Sequence, residues 1–170
     1  MSVFHPTLLK NRITDLTIED LETLSVSALL LDVDNTLTRH HSQELDDEVA
    51  AWLVSMKEAG VKLMLVSNSK YPRILPFATK IDLPFVHTAC KPLPFGFRRA
   101  IKALGVPKSA CMAIGDQTFT DVLGARLSGM RVTQLIPIEV EAGWSFRLRR
   151  RLEKGVLSRY RKKQEKRDRR

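Results

Sequence analysis

Ala28-Leu29-Leu30-Leu31-Asp32-Val33-Asp34-Asn35-Thr36-Leu37-Thr38 is the stretch that decides the fold. Residues 28–33 form an apolar run that meets carboxylates only at its end, which is the pattern of a strand buried on both faces. The pattern then repeats outward. A helical period over 43–59 is followed by an apolar run at 61–66, a helix over 71–80, a short strand at 84–87 and a helix over 95–104. A strand at 110–114, a helix over 120–128 and a strand at 131–136 complete the series. Gly60, Gly105 and Gly129 each fall just past a helical pattern, where a left-handed cap residue is wanted. Strands alternating with helices predict an α/β fold, a central parallel sheet of about five strands flanked by helices. In such sheets ligands bind beyond the carboxyl ends of the strands.

That rule gathers four polar groups at one edge. The first strand runs into Asp32-Val33-Asp34, the second into Ser67-Asn68-Ser69 and the fourth into Gly115-Asp116, while Lys91 follows the third by a few residues. Polar loops are common and a single such residue carries little weight. Four in fold-consistent order outweigh that reading. In extended chain Asp32 and Asp34 point to the same side. Their mutual repulsion needs a reason, either a shared cation or a division of labour between nucleophile and acid. Asp116 and Asp121 add carboxylates from the neighbouring strand end, and an all-oxygen set of this kind suits Mg²⁺. Ser67 and Lys91 supply a hydroxyl and an ammonium that can neutralise the equatorial oxygens of a transferring phosphoryl group.

Asp32-Val33-Asp34-Asn35-Thr36-Leu37-Thr38 resembles the DxDxT nucleophile motif of the haloacid dehalogenase-like (HAD) superfamily. Ser67-Asn68-Ser69 resembles its second motif, Lys91-Pro92 its third, and Gly115-Asp116-Gln117-Thr118-Phe119-Thr120-Asp121 its fourth. The resemblance covers roughly residues 26–136 and implies the Rossmann-like HAD fold. It implies that Asp32 attacks phosphorus to form an aspartyl-phosphate, and that Asp34 protonates the leaving oxygen and then activates water. It also implies that Asp32 and Asp116 bind Mg²⁺ by side chain, Asp34 by its backbone carbonyl, and Asp121 directly or through water. Thr36 is expected to brace Asp34, and Ser67, Asn68 and Lys91 to hold the phosphoryl group.

The spacing bears on substrate. Asp32 to Ser67 is 35 residues, Ser67 to Lys91 is 24 and Lys91 to Asp116 is 25. One helix with its strand and turns fills most of each interval, so no cap domain is inserted. Only a flap at 37–42, carrying Arg39, His40 and His41, can cover the site. His40 and His41 lack the nearby ligands a paired-histidine metal site needs, and His87 reads as a structural histidine. An open site suits phosphate carried on something large, unless a neighbouring subunit supplies a lid.

The 170 residues suit one core, 44% of them are apolar, and the net charge is +9. No stretch is apolar for long enough to span a membrane, and the first ten residues lack the pattern of a secretion signal. Cys90 and Cys111 read as reduced thiols of a cytoplasmic protein. The charge is localised: residues 144–170 hold 13 Lys/Arg against 3 Asp/Glu, whereas 1–143 hold 15 against 16. The chain therefore divides into a phosphatase domain, 1–143, and a basic amphipathic helix and tail, 144–170. Trp144, Leu148, Leu152, Val156 and Tyr160 recur every four residues as one drifting stripe, while 161–170 has none and reads as disordered.

Such a segment fits the inner face of an anionic membrane, with Trp and Tyr at headgroup level. Nucleic acid would attract the same charges, but no recognised binding module accompanies them. Within the superfamily the chain most resembles the compact YqeG-type group of subclass IIIA, which implies phosphatidylglycerophosphate phosphatase activity. The alternatives are a soluble phosphatase of small phosphates, or a nucleic-acid- or ribosome-associated protein that uses the tail.

Overall fold

The apolar runs at 28–33, 61–66, 84–87, 110–114 and 131–136 all become strands, and one further strand joins them. The structure, a computed structural model, describes residues 2–40, 42–139 and 144–168. In chain order its elements are β1 (Leu8–Lys10), α1 (Ile18–Thr23), β2 (Ala28–Leu31), α2 (Asp47–Glu58), β3 (Lys62–Val66), α3 (Tyr71–Lys80), β4 (Phe85–Val86), α4 (Phe95–Leu104), β5 (Cys111–Gly115), α5 (Leu123–Leu127), β6 (Arg131–Leu135) and α6 (Trp144–Asp168). The sheet is parallel throughout, in the order β1-β6-β5-β2-β3-β4. Six strands replace the expected five. β1 is three half-buried residues at the sheet edge, too short to show a period, and its register against Thr133–Leu135 comes from a partner over a hundred residues away.

β2 lies at the centre, and its alternation divides the core. Leu29 and Leu31 face Trp52, Leu53, Met56, Ile74 and Phe77 of α2 and α3. Ala28 and Leu30 face Phe97, Ala100, Val122 and Ala125. Each connection between β2 and β6 carries one principal helix, with no inserted domain among the described residues. All strands end at the same edge, so the loops after β2, β3, β4 and β5 lie side by side.

Several boundaries move for visible reasons. α2 starts at Asp47 rather than 43, because Asp46 is extended (φ −67°, ψ 144°) and Gln43 donates its amide to the Arg73 carbonyl at 3.2 Å. The helix expected over 120–128 opens earlier, as a π-type turn at Thr118–Val122, where the N–H groups of Asp121 and Val122 both donate to the Gln117 carbonyl.

The expectation of disorder over 161–170 is corrected as far as Asp168, because α6 continues to that residue. Its Lys, Arg, Gln and Glu residues are good helix formers and extend a helix already anchored upstream. The anchor uses only the end of the expected stripe, and Tyr160, expected at headgroup level, is buried instead. Leu152 is exposed, whereas Glu153 and Tyr160, two turns apart, are buried, with Val156 and Leu157 half-buried between them. Tyr160 donates its hydroxyl to the Thr7 carbonyl at 3.2 Å and packs edge-on against His5. The side chains of Trp144 and Leu148 fall outside the described residues, as does His41.

Candidate active site

Pairing of the central strand continues just past Leu31, where the Asp32 N–H donates to the Ile114 carbonyl at 2.9 Å. This bond sets the Asp32 side chain at the carboxyl edge, 11% exposed. Asn35 then adopts φ 59°, a left-handed conformation that asparagine tolerates, and its N–H returns to the Thr38 carbonyl at 2.8 Å. The chain thus turns sharply after Asp34. Asp32 and Asp34 consequently take different partners rather than sharing one.

Asp32 Oδ1 accepts from Lys91 Nζ at 2.5 Å, and the same ammonium donates to Asp121 Oδ1 at 2.6 Å. Asp32, Asp116 and Asp121 each place a carboxylate oxygen within 4.8 Å of the others. Asp121 reaches this position because Gly115 has no side chain: a Cβ there would lie 2.3 Å from Asp121 Cγ. The other Asp121 oxygen accepts from the Gln117 N–H at 3.2 Å and from the Thr120 hydroxyl at 3.3 Å. The Asp116 carbonyl receives the Gln134 amide at 3.3 Å, which ties the Asp116 loop to β6.

These residues carry more negative than positive charge. Four carboxylates (Asp32, Asp34, Asp116, Asp121) meet two cationic side chains, Lys91 and Arg73. Burial pushes the Asp32 carboxyl up to about 7; the Lys91 ammonium opposes this, and the Asp121 and Asp34 carboxylates reinforce it. Burial also works against the Lys91 ammonium, but the Asp121 and Asp32 carboxylates outweigh it and raise its pKa. The surroundings therefore favour the charged form of Lys91, and the cost falls on Asp32, chiefly through burial. A divalent cation would relieve that cost. Three buried carboxylates, the only such cluster among the described residues, fit a hard ion such as Mg²⁺.

The other expected residues fall around this centre. Ser67 is buried, and its Oγ accepts from the Ser69 N–H at 3.1 Å. Asn68 spends its side chain on Lys91, accepting from the Lys91 N–H at 2.7 Å and donating to the Lys91 carbonyl at 3.2 Å. That pair of bonds fixes the loop carrying the ammonium, so the Asn68 amide orients Lys91. The Thr36 hydroxyl is buried without a hydrogen-bond partner among the described residues. It does not brace Asp34, whose Oδ1 accepts instead from Arg73 Nη2. In the flap, Arg39 reaches Glu139 at 3.5 Å and His40 Nδ1 stands 3.9 Å from Asp34 Oδ1. His87 packs on Tyr71 and Thr88 at the edge of β4, as a structural histidine does.

Two positions that contact the site residues escaped the sequence reading. Arg73 lies in the first turn of α3, six residues beyond Ser67. A cation opening the helix after the second strand could have suggested a partner for one of the two aspartates. Glu153, on α6, accepts the Thr118 N–H at 2.8 Å and so holds the loop between Asp116 and Asp121 from outside. No local pattern marks it, since it sits beside the expected apolar stripe.

Comparison with known proteins agrees with this arrangement. A family model described as "Hydrolase: haloacid dehalogenase-like hydrolase" matches residues 7–129. A Bacillus subtilis (strain 168) protein named "Probable phosphatase YqeG" is 32% identical over 160 residues, spanning 94% of this chain and 93% of that one. Among solved structures, a haloacid dehalogenase-like hydrolase from Brucella suis 1330 superposes with a TM-score of 0.52 at 15% identity, over 68% of this chain and 91% of the other. An uncharacterised protein from Listeria monocytogenes serotype 4b gives 0.55 at 16% identity, over 69% and 85%. At these identities the two structures speak to the fold alone.

Proposed function

This chain belongs to the haloacid dehalogenase-like hydrolases, and we propose that it is a Mg²⁺-dependent phosphomonoesterase in which Asp32 is the nucleophile. The observation that carries the proposal is the convergence of Asp32, Asp116 and Asp121 on one point, with Lys91 bridging two of them. Asp32, Asp116 and Asp121 would hold the cation by side chain, with the Asp34 carbonyl as a further ligand. The cation, when bound, supplies positive charge against the phosphoryl oxygens. Lys91, the Ser67 hydroxyl and the backbone N–H groups after β3 would hold those oxygens.

In the first step an Asp32 carboxylate oxygen bonds to phosphorus as the bond from phosphorus to the leaving oxygen breaks, and Asp34 gives that oxygen its proton. In the second, water attacks the aspartyl-phosphate and passes a proton to Asp34. The phosphorus–Asp32 bond then breaks, releasing phosphate and restoring both carboxyl groups.

Our reading of the substrate is phosphatidylglycerophosphate, met at an anionic membrane surface. It rests on the resemblance of the motifs to the YqeG-type group, on the absence of a cap insertion, and on α6. With Glu153 and Tyr160 turned inward, α6 turns Arg151, Lys154, Arg159, Lys162 and Lys163 outward. No helix among the described residues is long and apolar enough to cross a membrane, so contact would be peripheral. The test is phosphate release from phosphatidylglycerophosphate in mixed micelles against a panel of soluble sugar phosphates and nucleotides. Clear preference for the lipid is expected. Preference for a soluble phosphate would overturn the substrate and leave the chemistry standing.

A further inference from the structure

We infer that Arg73 is the positioning residue for Asp34, fixing the carboxyl group that exchanges a proton with the leaving group. The inference rests on the acid/base reading of Asp34 and adds a residue to it. Arg73 Nε donates to Ser69 Oγ at 3.1 Å, while Nη2 donates to Asp34 Oδ1. Two N–H groups of one planar guanidinium therefore have fixed partners, which sets both the plane of the fork and the place of Oδ1.

Ser69 is itself placed by the same turn that sets the phosphate clamp, since its N–H donates to Ser67 Oγ. The Ser67-Asn68-Ser69 turn thus aligns two cations: Lys91 through Asn68, and Arg73 through Ser69. The Arg73 and Asp34 side chains are 28% and 20% exposed, so the pair sits at the mouth of the site, partly withdrawn from water. His40 Nδ1 stands 3.9 Å from the same Oδ1, so Arg73 gives the closer hold on it, and misplacement of a reacting carboxyl group by about 1 Å is enough to cost a large rate factor. Asp32 and Lys91 are bonded to each other rather than to Arg73. Arg73 bonds Asp34 directly, and it reaches the phosphoryl clamp only through Ser69.

The test is the rate of phosphoenzyme formation, measured by acid quench with an alkyl phosphate and with a nitrophenyl phosphate whose leaving group departs without a proton. Arg73→Gln is expected to slow the alkyl reaction by about tenfold or more and the aryl reaction by less than about threefold. Arg73→Lys keeps the charge and loses the fork, so it is expected to recover only part of the alkyl rate. Equal slowing on both substrates, or no slowing on either, would overturn the positioning role. Asp34→Asn run in parallel separates the two claims. If it fails to discriminate between the leaving groups, the acid role of Asp34 is wrong. If it discriminates and Arg73→Gln does not, only the role of Arg73 is wrong.

Discussion

Asp32 and Lys91 form a buried pair whose balance depends on a third charge. Removing the ammonium by Lys91→Met leaves the Asp32 and Asp121 carboxylates facing each other. The metal-free protein is expected to lose about 3–5 kcal/mol, read by urea unfolding, with part of it restored by Mg²⁺. The pH dependence follows from Asp32, whose folded value of about 7 stands above the ordinary 3.8. A group raised by folding contributes most below its unfolded value and loses that contribution as pH climbs through the folded one. Stability in EDTA should therefore fall between about pH 4 and about 7, less so in Asp32→Asn, and saturating Mg²⁺ should flatten the decline. A decline of the same size in Asp32→Asn would assign it to other groups. Gly115→Ala is a steric test of the same centre, because the new methyl would occupy space filled by the Asp121 carboxyl. It should cost about 1–3 kcal/mol and raise the Mg²⁺ concentration for half-maximal activity several-fold. An unchanged Mg²⁺ requirement would remove Asp121 from the metal set.

Among the elements, α6 reaches the Thr118–Val122 turn through a charged hydrogen bond. Glu153 accepts the Thr118 N–H from a buried position, and Gln134 donates to the Thr118 hydroxyl at 2.8 Å from the other side. Glu153→Ala leaves that N–H without its acceptor and should destabilise the protein by about 1–3 kcal/mol. Glu153→Gln keeps an acceptor and should cost less, and equal losses for the two would remove the bond from the explanation. The contrast between this bond and the strands shows what the sequence could reveal. The apolar run Ala28-Leu29-Leu30-Leu31 is local, and so was the placement of Asp32, Ser67, Lys91 and Asp116 at or soon after strand ends. Arg73 with Asp34, Glu153 with Thr118, and β1 with β6 join residues 39, 35 and over 120 positions apart. No periodicity encodes such pairings, and chain topology alone brings them together. On α6 the stripe marked the buried Tyr160 and the half-buried Val156 but not Glu153, a polar residue at a buried position, justified by the N–H it meets.

For the whole molecule, the parallel sheet places the carboxylate cluster at one edge, and α6 adds a basic face that the body leaves uncovered. If that face meets an anionic membrane, the chain should sediment with phosphatidylglycerol vesicles at physiological salt. Replacing Arg159, Lys162 and Lys163 by Glu should then weaken binding by about 1 kcal/mol or more per residue, while Tyr160 and Glu153 keep the helix docked. Sedimentation that is insensitive to the replacements would move the contact elsewhere. Tight, salt-sensitive RNA binding lost in the same variant would assign the basic face to nucleic acid. Substrate and surface can thus change without touching the chemistry, which stands or falls with Asp32. The most direct measurement is mass spectrometry of the protein acid-quenched during turnover of an aryl phosphate with Mg²⁺. One phosphoryl group on the peptide containing Asp32, absent in an inactive Asp32→Asn variant, is the expected result. Turnover retained in Asp32→Asn, or a phosphoryl group on a different residue, would contradict it.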